Sequence, residues 1–395
     1  MRDDPTDDWE IFTTRLFDQS KFAIKLGLEN IKKALECEGH PQEEWENIIV
    51  GGTNGKGQSA SMLSNVLEDH GKKVGLFTSP HLIEFRERFR INGKVVSREE
   101  VLQVGKYVLQ RYAKGKVCLS FFEMCVLIGL LIFKAHKIDV AILEVGLGGR
   151  LDAVNAVEPD LTVITNIGLD HEAYLGTRIE EIAAEKLALI RPHTPTIFAP
   201  QTYPDLLPQS CNTYYYAEKG NSFRASNANT AYLAAIQFLK KDFDAVIANK
   251  ALKESHWPGR LELIEVKTGT VCFPLWLDAA HNPLGLKSCL DELSRDDFEV
   301  VIFGAMKDKN LEKMGELLAD LNKAIWGVRP KSHRAAGKEE LEKWMPIARF
   351  GALEDFLEES PRALVLGSIY LLGELFALIG REVEELRIRK NPKQW

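Results

Sequence analysis

Residues 50 to 59 read VGGTNGKGQS. They continue the strand-like ENIIVGG (46 to 52) and run into SASMLSNVLEDHG, in which Met62, Leu63, Val66 and Leu67 share one helical face and Gly71 is a stop signal. A strand, a glycine loop and a helix in that order make a place for phosphate. Glycines let backbone N–H groups turn toward an anion, the helix start adds its dipole, and Lys56 adds a point charge. The strict P-loop pattern nevertheless fails twice. Val50 stands six before Lys56, where the pattern has Gly, and Gly57 follows the lysine, where it has Ser or Thr. Without that hydroxyl, a magnesium ion beside the phosphates needs other protein ligands.

Outward from this loop, strand-like and helix-like segments alternate. KKVGLFTSP reads as a strand, FEMCVLIGLLIFKAHK as an apolar helix, IDVAILEVGLGG as a strand running into a second glycine loop, and DLTVITNIGLDH as a strand ending in Asp170 and His171. From about residue 270, CFPLWLDAAHNP, FEVVIFGAMKDKN, KAIWGV and ALVLGSIYLLGELFALIG form a smaller series. The pattern predicts an α/β protein: a larger N-terminal domain on a mostly parallel sheet, 1–257, and a smaller C-terminal α/β domain, 258–395. Polar residues gather at strand ends, where open α/β sheets bind ligands.

The chain has 395 residues, 45% hydrophobic and 27% charged, with net charge -7. That balance fits a globular protein and disfavours non-specific binding to nucleic acid or anionic membrane. Six cysteines, at 37, 118, 125, 211, 272 and 289, form no CxxC pair and read as reduced thiols. MRDDPTDDWE has no apolar signal region, and VLIGLLIF (126 to 133) is too short to span a bilayer, so a cytoplasmic location is expected.

In RIEEIAAEKLALI, Ile179, Ile182, Ala183, Lys186, Leu187 and Ile190 fall at helical spacing, which puts Lys186 on an apolar stripe. An ammonium there is costly unless it snorkels or has a task.

GTNGKG (52–57), LFTSPHL (76–82), ERFRING (87–93), LEVGLGGRLDAVN (143–155), ITNIGLDH (164–171), AAEK (183–186), WPGR (257–260), LDAAHNP (277–283) and VLGSIYLLGE (365–374) occur in order. Together they resemble the folylpolyglutamate synthase/dihydrofolate synthase family of the Mur ligase superfamily over nearly the whole chain. GTNGKG is that family's normal loop. The resemblance implies ATP-dependent addition of L-glutamate to dihydropteroate, to the γ-carboxyl of reduced folates, or to both, through an acyl phosphate. It implies that 1–257 is the P-loop-type, ATP-binding Mur-ligase-like central domain and 258–395 the C-terminal glutamate-ligase Rossmann-like domain. A Mur-type cell-wall ligase and a non-catalytic nucleotide-binding relative are the alternatives; GSIYLLGE favours the folate branch.

Several site residues are implied by the resemblance. ATP would contact Thr53, Asn54, Gly55, Lys56, Gly57, Asn229, Arg260 and Asp278. Metal would be held by Ser79, Glu144, His171 and a carbamylated Lys186, with two Mg²⁺ sites and a possible monovalent cation. A turn histidine stays open as the other reading of His171. Catalytic roles fall to Lys56, Lys186, His171 and His281. Phe121, Phe122, Glu123, Leu151, Asp152 and Ala153 would hold the pterin-containing substrate; core packing stays open for one of the phenylalanines. Ser368 reads equally as a strand-end turn or a glutamate contact. Gln58, Arg86, Val154 and Ala279 depart from the family pattern. The first puts phosphate geometry in question, and Arg86 and Val154 the folate contacts. Partners are small molecules, with no nucleic acid or membrane, and a monomer is expected.

Overall fold

The computed structural model describes residues 5–19, 27–208, 213–268, 271–359 and 362–389. Cys211 lies outside the described residues. The contacts divide the chain into two units. The first takes the described residues up to Ile167, then Ile179–His256, and returns from Ile388 onward. The second is Gly168–Arg178 with Trp257–Arg387. The expected single boundary at 257 thus meets two exchanges: the segment bearing Asp170 and His171 groups with the second unit, and the last described residues group with the first.

The first unit runs α1 (Pro5–Asp18), α2 (Glu29–Cys37), β1 (Glu46–Gly51), α3 (Lys56–Asp69), β2 (Val74–Phe77), β3 (Phe89–Ile91), β4 (Lys94–Val95), α4 (Arg98–Tyr112), α5 (Phe121–His136), β5 (Val140–Glu144) and β6 (Leu161–Ile164). After α6 (Glu172–Leu175), which belongs to the second unit, come α7 (Ile179–Leu187), β7 (Thr196–Phe198), β8 (Tyr214–Tyr216), α8 (Phe223–Leu239) and α9 (Ala245–Glu254). The sheet order is β4-β3-β2-β5-β1-β6-β7-β8, parallel except for the β2–β3 and β3–β4 pairs. Its central strands read as unbroken apolar runs because both faces are covered. Ile48, Ile49, Val50, Ile142 and Leu143 are all buried. The apolar run of the sequence is α5, whose residues 123 to 130 are buried in the core. No helix among the described residues is long and apolar enough to cross a membrane.

The second unit holds β9 (Glu262–Thr268), β10 (Val271–Asp278), α10 (Pro283–Glu292), β11 (Val300–Phe303), α11 (Leu311–Ala319), β12 (Ala324–Val328), α12 (Lys338–Glu342), β13 (Ile347–Gly351), α13 (Leu353–Glu358), β14 (Ala363–Leu366) and α14 (Ile369–Leu378). Its sheet, β13-β12-β11-β14-β10-β9, is parallel apart from the β9–β10 hairpin. Leu286, Val301, Phe303, Met314, Leu364 and Leu366 centre its core.

The returning end of the chain clasps α3. Arg389 donates to Asp69 Oδ1 (2.7 Å), to the Asn65 carbonyl (2.9 Å) and to Asn65 Oδ1 (3.2 Å). The Asn65 amide donates to the Ile388 carbonyl at 3.0 Å. Arg389→Ala is expected to destabilise the protein by about 1–2 kcal/mol, as the fork and its charged partner are lost together. Urea unfolding checks this; a change under about 0.5 kcal/mol, the usual surface range, would show the clasp to be energetically idle.

Candidate active site

The opening loop runs from β1 into α3. Gly52 sits at φ 128° and Gly55 at φ 92°, backbone that side chains rarely adopt. Any Cβ at Gly52 would also lie 2.0 Å from Thr165 Oγ1. The Thr53 and Asn54 amides donate to the Asn166 carbonyl at 2.9 and 3.4 Å, which pins the loop to the end of β6. Those two amides therefore anchor the loop. The amides of Gly57 and Gln58 open the first turn of α3, where N–H groups have no intrahelical acceptor, and are the ones placed for an anion.

Two lysines converge on this loop. Lys56 Nζ donates to the carbonyls of Thr53 (3.1 Å) and Gly52 (3.3 Å). Lys186 Nζ, from α7, donates to the same Gly52 carbonyl at 3.0 Å. Lys186 is 4% exposed, with Ile182 and Ala183 buried beside it, so it does not snorkel to water. Two ammonium groups within reach of one oxygen repel each other. A phosphate at this loop, or conversion of one amine to an anionic carbamate, would relieve that repulsion.

At the end of β5, Glu144 is 5% exposed, and its Oε2 accepts the Ser79 backbone N–H at 2.9 Å. The loop after it, Gly146–Gly149, is packed from two sides. A Cβ at Gly146 would meet the Phe122 ring at 2.5 Å, and one at Gly149 would meet the Glu185 carbonyl, beside Lys186, at 2.6 Å. The loop thus joins the N-terminus of α5 to α7. Phe121 and Phe122 are half-buried, and Phe122 also packs 6.0 Å from the Phe77 ring, centroid to centroid. Glu123 completes the α5 capping box by accepting the Ser120 amide at 2.7 Å.

Asp152 is buried, and three backbone amides hold its carboxylate: Gly146 (3.0 Å), Leu147 (2.8 Å) and Val154 (3.0 Å). It shapes the glycine loop between Leu151, half-buried, and Ala153, buried. Burial pushes its pKa up to about 6, against the downward pull of those amides and of the Lys56 charge. The ordinary Asp value is about 3.9, so the native state takes up the proton first. This group's stability is present below about pH 4 and lost as pH rises through about 6. The deficit of Asp152→Asn relative to wild type is therefore expected to be larger by about 2 kcal/mol at pH 4.5 than at pH 8. Paired urea titrations at the two values read it, and a deficit independent of pH would contradict it.

Asn229 and its neighbour Asn227 divide the roles on α8. Asn229 donates to the Glu218 carbonyl (3.1 Å) and lines a cleft of about 380 Å³ with Ser222, Arg224, Tyr232 and Asn249. Asn227, on another face of the helix, is 3% exposed. Its amide donates to Gln58 Oε1 at 2.6 Å, and its Oδ1 would lie 2.6 Å from a Cβ at Gly55. The residue that α8 brings to the Gly55 loop is thus Asn227, which sequence reasoning passed over. A helix turns about 100° per residue, so positions two apart face different ways. Gln58 at once finds a purpose as the partner of Asn227.

The other departures are also accommodated. Arg86 pairs with Glu84 (3.2 Å), Val154 is buried, and the Ala279 amide donates to the Gly259 carbonyl (2.8 Å).

In the second unit, Asp278 ends β10. It accepts the Leu261 and Ala280 amides (2.9 and 2.7 Å), with Arg260 Nη1 3.6 Å away. Burial pushes its carboxyl up, and Arg260 opposes that. His281 Nδ1 lies 2.9 Å from the Ala279 carbonyl and Nε2 3.4 Å from Asp170 Oδ2. His171, at φ 54°, is the residue before α6, and its amide donates to Asp170 Oδ1 at 2.8 Å. The Ser368 hydroxyl accepts the Tyr370 amide and caps α14.

No three His, Cys, Asp or Glu side chains form a preformed metal cluster among the described residues. The Ser79 hydroxyl and the Glu144 carboxylate are hard oxygen donors on neighbouring strand ends. They suit a magnesium ion that completes its shell with phosphate and water.

Residues 50–238 match the model of the Mur ligase middle domain. The dihydrofolate synthase/folylpolyglutamate synthase of Bacillus subtilis is 32% identical, over 90% of this chain and 95% of that protein. A probable bifunctional folylpolyglutamate synthase/dihydropteroate synthase of Haloferax volcanii is 31% identical over 91% of this chain, which spans only 49% of that longer protein. Among solved structures, the bifunctional folylpolyglutamate synthase/dihydrofolate synthase of Yersinia pestis, complexed with AMPPNP and Mn ion, superposes with TM-score 0.81. It is 26% identical and covers 94% of this chain and 98% of its own. With the loop of Lys56, the strand-end pair of Ser79 and Glu144, and a relative matched along nearly its whole length, the chain belongs to the dihydrofolate synthase/folylpolyglutamate synthase family.

Proposed function

We propose that the protein is an ATP-dependent ligase joining L-glutamate to dihydropteroate and to the γ-carboxyl of reduced folates. The observation that carries this reading is the convergence of Lys56 and Lys186 on the Gly52 carbonyl at the start of α3. It gathers positive charge where a γ-phosphate would rest.

The acceptor carboxylate oxygen attacks the γ-phosphorus, and ADP leaves. The glutamate amine then attacks the acyl carbon, loses a proton, and phosphate departs. No covalent nucleophile from the protein is needed, so the residues position groups and stabilise charge. Lys56 and the amides of Gly57 and Gln58 hold the phosphates, while Asn227 steadies the loop. Ser79 and Glu144 would hold Mg²⁺, with His171 and a carbamylated Lys186 as further ligands of a two-ion site; a monovalent cation is a further candidate. When bound, magnesium neutralises phosphate charge during transfer. Arg260 and Asp278 are nucleotide contacts in this reading, and His281 serves the incoming glutamate. We place the enzyme in the cytoplasm as a monomer.

Mass spectrometry of the products tests the assignment. ATP, L-glutamate and either dihydropteroate or tetrahydrofolate should give one added glutamyl unit with stoichiometric ADP. Intact ATP binding with neither product would refute it and favour a non-catalytic relative. Phe122→Ala is expected to raise the acceptor KM about tenfold, in line with the loss of an aromatic contact, and the ATP KM much less. Equal rises in both would mark Phe122 as a packing residue of the Gly146 loop.

A further inference from the structure

Arg88 ends the turn Phe85–Arg88 ahead of β3 and is 6% exposed. Buried arginines are ordinarily paired with carboxylates. Its neighbour Arg86 meets Glu84. Arg88 has no carboxylate within 4.0 Å among the described residues. Its Nε donates to His81 Nδ1 at 3.1 Å, and its guanidinium carbon lies 5.5 Å from the centre of the Phe121 ring and 5.6 Å from that of Phe85. Phe17, 37% exposed, closes the group: its ring lies 5.7 Å from Phe121 and stacks 6.1 Å from His81.

The bond from Arg88 also sets the His81 ring. Nδ1 accepts, so the ring hydrogen is on Nε2. The cluster therefore offers hydrogen-bond donors, the terminal nitrogens of Arg88 and His81 Nε2–H, among flat aromatic faces. Its complement is a flat heterocycle whose edge carries a carbonyl oxygen and ring nitrogens as acceptors.

We propose that Arg88 is a specificity-determining residue for the acyl acceptor, donating from its terminal nitrogens to the carbonyl and ring-nitrogen edge of the acceptor's fused heterocycle beside Phe121. This rests on the folate reading above and adds the residue that reads the head group. Arginine suits the task because its planar fork fits two acceptors at once and stacks on aromatic rings.

The test is steady-state kinetics of Arg88→Met and Arg88→Lys with dihydropteroate, ATP and glutamate, together with inhibition by p-aminobenzoate, which lacks the heterocycle. Arg88→Met should raise the dihydropteroate KM by about ten- to a hundredfold, the range for a lost hydrogen bond to a charged group. Arg88→Lys should raise it less. The KM values for ATP and glutamate and inhibition by p-aminobenzoate should be unchanged. An unchanged dihydropteroate KM in an active enzyme overturns the role of Arg88 and leaves the ligase reading intact. So does an equal loss for ATP, for p-aminobenzoate, or of folding in both variants, since each makes Arg88 a structural residue. Failure of wild type to glutamylate either acceptor overturns the ligase reading itself, and this inference with it.

Discussion

Lys186→Ala is expected to lower turnover at least about a hundredfold at saturating ATP, acceptor, glutamate and magnesium, the scale for removing one preorganised charge-stabilising group. The amine reaches the Gly52 carbonyl at 3.0 Å, the same oxygen that Lys56 approaches, and the side chain is buried. Alanine would remove a charge from the proposed phosphate site and leave a cavity beside the Gly146–Gly149 loop. The two effects separate. Loss of packing would raise KM values and lower stability, whereas loss of a group acting on the transferring phosphoryl lowers kcat and kcat/KM together. Lys186→Met fills the space without the amine and should be as inactive as alanine while recovering stability. If the Lys186→Met enzyme turns over within about threefold of wild type, the lysine is only a packing residue on the stripe of α7, and the ~2.7–4 kcal/mol assigned to such groups belongs elsewhere. A carbamate is tested separately: wild type equilibrated with ¹³C-bicarbonate should show a carbamate carbon resonance that the methionine variant lacks.

The placement of Lys186 was legible because a helix exposes its periodicity directly, and one charged residue on an apolar stripe stands out. The central strands were legible for a similar reason, since parallel strands buried on both faces read as apolar runs. Other features were not read. Helix α4 opens with Ser97 and Glu100 in a capping box, a signal present in the sequence but passed over beside the richer motifs. Helix α1 buries Trp9, Phe12 and Leu16, in a stretch whose start is read from the sequence only as lacking an apolar signal region. That Asn227 meets the Gly55 loop depends on the rotation of α8 about its axis, set by packing against α3 and not by the local pattern. The assignment of 168–178 to the second unit depends on contacts with residues more than a hundred positions away. Local periodicity carries no information about them.

Asp170 shows the strength of those distant contacts, and its replacement is expected to have the largest effect on stability. The residue is 8% exposed. It accepts from Lys309 Nζ at 2.6 Å and from the Asn282 amide at 2.9 Å, with His281 Nε2 3.4 Å away. Burial alone would push this carboxyl up. The hydrogen bond and charge of His281, with the charges of Lys309 and His171, more than offset that and hold it well below the usual carboxylate range. The stabilisation is therefore present at neutral pH, persists above about pH 4, and is lost only as pH falls below the ordinary Asp value. Asp170→Ala leaves the Lys309 ammonium, itself almost wholly buried, without its anion, and should cost about 3–5 kcal/mol at pH 7. The double variant Asp170→Leu with Lys309→Met removes both charges and should recover most of that loss, because the penalty comes from the orphaned cation. Urea unfolding of the two single variants and the double gives the coupling directly. Hydrogen exchange at the His171 amide, which donates to Asp170 Oδ1, should quicken in Asp170→Ala. Additive losses with no recovery in the double variant would mean that the hub is held by its backbone turns, and that Asp170 and Lys309 meet without stabilising each other.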